Sequence, residues 1–289
     1  RDILRFNARA EAVANSDSTT IGDLVSDLQL GPWFTRYYLT PICGAIWSTP
    51  PDEILGFPAL SLVRFFRNHA LLSATNQHQW WTVKGGSIEY VRRLESHLRA
   101  AGCGLRPDTP VQSVERLPGG VTIRAQGCEA ESFDQVILAS HSDDTLRLLA
   151  RPDRQEEAAL GALRYQDNRM ILHRDAAQMP RRRACWSSWV YKADQRDNRP
   201  AIGVTYWMNR LQNLPENDPL FVSLNPVQDV NPKLIYDDKT FRHPVFDRAA
   251  IQAQGAVQAM QGQNHTWFAG AYLRHGFHED GFASAVRVA

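Results

Sequence analysis

Cysteine is scarce in this chain and poorly placed for its usual uses. Its four cysteines, Cys43, Cys103, Cys128 and Cys185, lie far apart and form no C-x-x-C pair. That spacing excludes a zinc knuckle, and no metal is expected. Four thiols in 289 residues do not make a disulfide framework, and a reducing, cytoplasmic compartment fits them best. Net charge is nearly absent as well. Lys and Arg number 32 against 31 Asp and Glu, so no global field attracts nucleic acid or anionic lipid. The one dense basic run, Arg181-Arg182-Arg183 after Pro180, reads as a solvated turn. No apolar stretch approaches the roughly 20 residues of a membrane-spanning helix. Neither a signal peptide, an internal repeat nor a low-complexity tract is visible.

What is present is an ordinary globular balance, 43% hydrophobic and 22% charged, enough for one large domain or two intertwined ones. The first ~75 residues read as helical. Arg1–Ala14 is a good helix, Ser18-Thr19-Thr20 offers a cap for Ile21–Leu28, and Gly31-Pro32 is a break. Trp33–Trp47 is apolar almost all round, and Pro41 should kink it or restart it. A turn at Ser48-Thr49-Pro50-Pro51 leads to a helix over Pro58–Leu72. Trp80–Val83 reads as a short strand, followed by a helix to about Ala101. Ile88, Val91, Leu94 and Leu98 in that helix are spaced for one buried face.

The middle of the chain turns to strands. Val111–Arg116 and Val121–Ala125 make a hairpin around Leu117-Pro118-Gly119-Gly120. Gln135–Ala139 has the character of a buried parallel strand, with Asp143–Leu149 as its following helix. Antiparallel strands are expected at Met170–His173, Trp186–Tyr191, Ile202–Trp207, Leu220–Ser223 and Lys233–Tyr236. Asp247 then caps a helix. Thr266–Ala269 is a second short buried strand, ended by Gly270. Gly276-Phe277-His278-Glu279-Asp280-Gly281 opens a last helix. A strand, a glycine and a helix N-terminus together aim backbone N–H groups at something electron-rich, and the helix dipole adds about half a positive charge there. Both chain ends fall in helix, which suggests part of a longer protein.

Several of these motifs fall in one order. Lys84-Gly85-Gly86-Ser87 opens a helix. Thr109-Pro110-Val111-Gln112-Ser113-Val114 precedes the hairpin, and Phe133-Asp134-Gln135-Val136-Ile137-Leu138-Ala139 precedes a helix. Phe268-Ala269-Gly270 comes much later, then Gly276 through Gly281. In this order they resemble the flavin-containing amine oxidase superfamily, which includes the phytoene desaturases. Gly44-Ala45-Ile46-Trp47-Ser48-Thr49-Pro50 and the Gly276–Gly281 phrase point to its bacterial, amine-oxidase-like NAD/FAD-binding branch. The resemblance implies an α/β (α+β, two-part) fold. In it, the remnant of an FAD-binding Rossmann-like domain is interleaved with a substrate domain of antiparallel sheet plus helices. The implied segments are 1–80 (helical substrate part), 81–150 (FAD), 151–245 (antiparallel substrate part) and 246–289 (FAD).

The implied cofactor is FAD. Val111, following Pro110, matches the family's adenine contact. Gly270 and Ala271 match the residues after the last strand. Phe277, His278, Glu279 and Asp280 match the helix start near the flavin ring. The family's G-x-G-x-x-G pyrophosphate turn occurs nowhere in the chain, and Tyr272 stands where many members carry an acid. The implied chemistry is hydride transfer from a small substrate, apolar, lipid-like or an amine, to the flavin. His275 and His278 are acid–base candidates, and Trp186, Trp189, Tyr206 and Trp207 are candidates for a substrate cage. No catalytic residue is assigned. Without its pyrophosphate turn, this chain alone is expected to hold FAD weakly and to be inactive. The alternative is a non-enzymatic scaffold that binds an apolar ligand or a protein partner.

Overall fold

The computed structural model describes residues 1–16, 18–47, 51–73, 79, 81–196 and 199–289. The helices are α1 (Asp2–Val13), α2 (Ile21–Asp27), α3 (Pro32–Phe34), α4 (Thr40–Trp47), α5 (Pro51–Ile54), α6 (Ala59–Asn68), α7 (Ile88–Ala100), α8 (Ser142–Leu148), α9 (Arg154–Gly161), α10 (Met208–Leu211), α11 (Arg248–Ala259) and α12 (His278–Val288). The strands are β1 (Val111–Leu117), β2 (Gly120–Ala125), β3 (Glu131–Phe133), β4 (Val136–Leu138), β5 (Tyr165–His173), β6 (Trp189–Arg196), β7 (Arg199–Trp207), β8 (Phe221–Leu224), β9 (Ile235–Pro244) and β10 (Thr266–Phe268). This mixture of helices, one parallel strand pair and antiparallel sheets is the expected α/β class. The chain divides into two compact units, Arg1–Gly102 with Asp167–Arg242, and Cys103–Gln166 with His243–Ala289.

In the first unit, Thr20 caps α2 as its sequence suggests. The Thr20 hydroxyl accepts from Asp23 N, and the Asp23 carboxylate accepts from Thr20 N at 2.9 Å. Phe6 of α1 packs on Phe34 and Phe66, with ring centroids 5.6 and 5.7 Å away. Between α3 and α4 the backbone widens into a π-helical turn, Thr35–Leu39, closed by Thr40 N donating to Thr35 O. Pro41 follows at once. It has no N–H to give and its ring crowds the carbonyl four residues back, so the wider turn ends there and a new α-helix, α4, starts at Thr40, one of the two outcomes expected of Pro41. The five-stranded sheet runs β6-β7-β8-β5-β9. Its pairs β6–β7, β7–β8 and β5–β8 are antiparallel, and α4 packs on β6 and β7.

Two expectations for this unit do not hold. Residues 81–83 form no strand, and Trp81 is exposed; Trp80 and the turn at 48–50 lie outside the described residues. Helix α7 forms, but Ile88, Val91, Leu94 and Leu98 are 39–48% exposed. The periodicity gave a helix with an apolar stripe. Local pairs, Arg92 on Glu89 and Arg99 on Glu95, support it, and no described residue buries the stripe.

The second unit holds the meander β1-β2-β3 and a separate parallel pair, β10–β4. Thr266, Trp267 and Phe268 stand opposite Val136, Ile137 and Leu138. Two runs far apart in sequence are therefore neighbours, as their shared apolar character and following helices suggested. Val114, Val136, Leu138, Leu160, Val257 and Phe268 share one core. Ile137 departs from the pattern at about half exposed. β3 and α9 were not expected. Glu131–Phe133 is short and polar at its start, and the signal for α9 is a capping box, in which Asp153 accepts from Glu156 N and Glu156 accepts from Asp153 N.

Candidate functional site

In an open parallel layer, ligands gather outside the carboxyl ends of the strands. Here those ends are Leu138-Ala139-Ser140-His141 after β4 and Phe268-Ala269-Gly270-Ala271-Tyr272 after β10. Ala269 N donates to Leu138 O at 3.0 Å, so the two chains leave the sheet side by side. A tight set of side-chain bonds then shapes the second exit. Gly270 N donates to Ser284 Oγ (2.8 Å), and Ser284 Oγ donates to Gly281 O (2.6 Å), tying the strand end to the first turns of α12. Gln254 Nε2, on α11, donates to Tyr272 O and Arg274 O at 2.9 and 2.7 Å. Buried Asp280 accepts from Phe277 N (3.1 Å) and His275 N (3.3 Å).

Of the residues singled out from the sequence, Gly270, Ala271, Phe277, His278, Glu279 and Asp280 belong to this one loop-and-helix assembly. Gly281 has no side chain, and Ala271 lies against it. Phe277, His278 and Glu279 are exposed, whereas the Asp280 carboxylate is committed to the loop's own N–H groups. Val111 opens β1 opposite Ala125 and is partly exposed. Among the described residues, no hydrogen bond or ring contact joins it to the Gly270–Asp280 group.

The residues that sequence reasoning passed over lie at the first exit. Tyr165 Oη accepts from Ser142 N at 2.8 Å, and its ring stacks on His141 with centroids 4.3 Å apart. His141, Asp143 and Asp144 place ligand atoms within 4.8 Å of one another, and Arg147 is ion-paired to both carboxylates. Only the strand–helix order around Ala139 marks this stretch in the sequence.

The first unit contains a Ser–His pair that is wired as structure. His173 and Ser223 are fully buried, with Nε2 and Oγ 2.8 Å apart. Asp175 N donates to His173 Nδ1 (3.1 Å), so the neutral ring carries its proton on Nε2 and donates to Ser223. Ser223 in turn meets Thr205 at 2.7 Å. A donor histidine takes no proton from serine, and burial pushes its pKa down. The chain stitches β5, β8 and β7 together.

The proposed substrate cage separates into two groups. Trp186 meets Trp207 edge-on (5.2 Å, 89°) and Phe221 (5.6 Å), and the Arg183 guanidinium lies 4.5 Å above the Trp186 ring. That group is packing. Trp189 and Tyr206 face each other across β6 and β7. Nearby on β6, Tyr191 Oη donates to Tyr37 O in the π-helical turn (3.0 Å). Burial raises the pKa of Tyr38, Tyr191 and Tyr206, so all three remain neutral donors.

Comparison with known proteins gives this geometry its context. Residues 29–170 match the model of the flavin containing amine oxidoreductases. Over those residues the chain is similar to that family. FAD is the family's cofactor, as the sequence resemblance implied. No curated protein matches the sequence. Among solved structures, a fatty acid isomerase from P. acnes that produces CLA superposes with TM-score 0.61 at 10% identity, over 99% of this chain and 72% of that one. A reduced UDP-galactopyranose mutase gives 0.62 at 14%, over 99% and 70%. A cofactor-binding variant of putrescine oxidase gives 0.63 at 12%, over 99% and 74%. At these identities the likeness is one of fold.

The strand ends can be tested against the cofactor. The loop after β10 offers backbone groups without a side chain at Gly270 and the start of an 11-residue helix. These fit the uncharged, oxygen-rich part of a flavin nucleotide. The pyrophosphate has no glycine-rich turn to receive it in this sequence.

Proposed function

We propose that the chain is part of an FAD-dependent oxidoreductase that removes hydride from a small substrate, with cofactor handling assigned to the unit of residues 103–166 and 243–289. The observation that carries the reading is the convergence of β4, β10 and the start of α12, with Gly270, Ala271 and Tyr272 fixed at the strand ends. When bound, FAD supplies the hydride acceptor. Gly270 and Ala271 give close backbone approach, Asp280 and Ser284 hold that loop in shape, and α12 adds the positive end of its dipole beside it. Phe277, His278 and Glu279 stand at the helix start, and Val111 is assigned to the adenine end by resemblance. His275 and His278, beside that loop, are the acid–base candidates.

An apolar or amine substrate suits the first unit, where Trp189, Tyr191, Tyr206 and Tyr38 gather beside the π-helical turn. The structural neighbours are named for a fatty acid, an amine and a sugar nucleotide, so fold alone does not choose among substrates. The scaffold reading draws its support from the missing pyrophosphate turn.

One experiment separates the two. The chain is equilibrated with FAD up to millimolar concentration and dialysed, and bound flavin is read from its absorbance bands. The loaded protein then meets a panel of amines and unsaturated lipids without oxygen. We expect weak binding, because a few neutral hydrogen bonds of about 0.5–1.5 kcal/mol each must order a long flexible cofactor. Bleaching of the flavin bands by a substrate supports the oxidoreductase. Flavin binding without bleaching by any member of the panel favours the scaffold.

A further inference from the structure

The parallel pair β10–β4 has two outer edges, and the chain treats them differently. On the β10 side the sheet is finished: the Gln261 amide donates to Phe268 O (2.7 Å) and accepts from Phe268 N (2.8 Å). On the β4 side the edge is open. Leu138 O accepts from Ala269 N at 3.0 Å, so the backbone of Leu138 faces β10. Backbone facing alternates along a strand, and the N–H and C=O of Ile137 therefore point away from β10. Among the described residues, no strand stands beside these groups and no side chain bonds to them.

Natural sheets guard an exposed edge with charge, proline or a bulge, because an unguarded edge pairs with another chain. β4 is Val136-Ile137-Leu138, and its register with β10 has no bulge. No charged residue lies between Gln135 and Ser140. Val136 and Leu138 are buried in the core, whereas the Ile137 side chain is 51% exposed, with Gln135 and Ala139 exposed on either side of it. Parallel sheets ordinarily have more than two strands and are covered on both faces. This pair is capped at one edge and bare at the other.

We propose that the outer edge of β4 pairs with the same edge of a second copy of this chain, antiparallel, about a two-fold axis through Ile137. A two-fold contact joins a patch to itself, so it needs an edge that is its own complement. Ile137 is the middle residue of its strand and offers one donor and one acceptor outward. Two such residues facing each other in an antiparallel pair exchange both hydrogen bonds. The same axis brings the two isoleucine side chains together on one face and takes both out of water. Closure favours a second copy over any other strand. A single guest strand moves the bare edge outward by one place. The symmetric pair gives the order β10-β4-β4-β10, with a Gln261 cap at each end.

The test is sedimentation equilibrium of the whole chain from about 1 to 100 μM, the range in which a small interface dissociates. A monomer–dimer equilibrium is expected. Ile137→Lys and Ile137→Glu each set two like charges directly opposite one another, so each variant alone should dissociate about 10-fold more readily or worse. An equal mixture of the two variants sets Lys opposite Glu and should recover association, a result specific to an axis through residue 137. Ile137 is half exposed, so the melting temperatures of both variants at low concentration should stay near the wild-type value, which checks that they fold. In the wild type, amide exchange at Ile137 should slow as protein concentration rises, while exchange at Phe268 stays constant; this readout decides alone if a variant fails to fold. A wild type that stays monomeric at the highest concentration overturns the proposal. So do variants that dimerise as well as the wild type, or a mixture that remains monomeric.

Discussion

The side-chain amide of Gln261 stands where a neighbouring strand would stand beside Phe268. Its Nε2 donates to Phe268 O at 2.7 Å and its Oε1 accepts from Phe268 N at 2.8 Å. Phe268 is the last residue of β10, and these are the backbone groups facing away from β4. One side chain thus satisfies both, and an edge that would expose an unpaired donor and acceptor is closed.

Replacing Gln261 with alanine should leave the Phe268 N–H and C=O unmet. We expect a loss of about 1–3 kcal/mol and faster amide exchange at Phe268, measured by urea unfolding and by hydrogen exchange. Gln261→Glu keeps the acceptor and loses the donor, so it should fall between. An alanine variant with wild-type exchange at Phe268 would show that the amide is dispensable.

The buried chain through His173 sets a pH dependence. Burial lowers the pKa of His173, and burial and His141 lower that of His243. In both cases the folded value lies below the unfolded value of about 6.5. Between the two values the unfolded chain binds more protons, so stability rises with pH. It should be complete above about pH 6.5 and decline as the pH falls, by up to about 1.4 kcal/mol per pH unit for each proton involved. Urea midpoints from pH 8 to pH 5 check this. In His173→Asn the slope should shrink, and an unchanged slope would assign the effect elsewhere.

Local signals made much of this fold legible. Asp247 and Thr20 mark helix starts with their own side chains, and Pro118-Gly119 marks its hairpin. The pairing of β4 with β10 was readable because each run is short, apolar and followed by a helix. The sequence could not say what covers an apolar face. The stripe of α7 has the spacing of a buried helix, and burial depends on what packs there rather than on the period. The candidate site was marked in the sequence at Gly270 and Gly276–Asp280, where glycine and a helix start leave a pattern. Tyr165 left none, because a tyrosine in a core and a tyrosine at a strand end are the same letter.

The exposed stripe of α7 gives a prediction by contrast. Leu94→Lys should shift stability by no more than about 0.5 kcal/mol, the usual range for an exposed position. Leu62→Ala, on α6 at full burial, should cost about 2–5 kcal/mol. Both belong to one compact unit and can be compared in the same denaturant titration. A large loss in Leu94→Lys would mean that the stripe is covered in solution.

The last prediction concerns a charge pair held away from water. Arg116 on β1 and Glu156 on α9 are ion-paired, with side chains only 10% and 5% exposed. Each has a second task. The Arg116 guanidinium also donates to Arg151 O, and Glu156 also accepts from Asp153 N to complete the cap of α9. Removing one charge strands the other in a low dielectric, and breaking such pairs typically costs about 3–5 kcal/mol. Glu156→Gln keeps the shape and an acceptor for the cap, so its loss should report mainly the stranded Arg116. Arg116→Met should also destabilise, leaving Glu156 charged and half-satisfied. The double variant removes both charges, so its loss should be well below the sum of the two single losses. A double-mutant cycle in urea measures the difference. Additive losses would show that the two side chains act separately, Glu156 through its cap and Arg116 through its backbone bond.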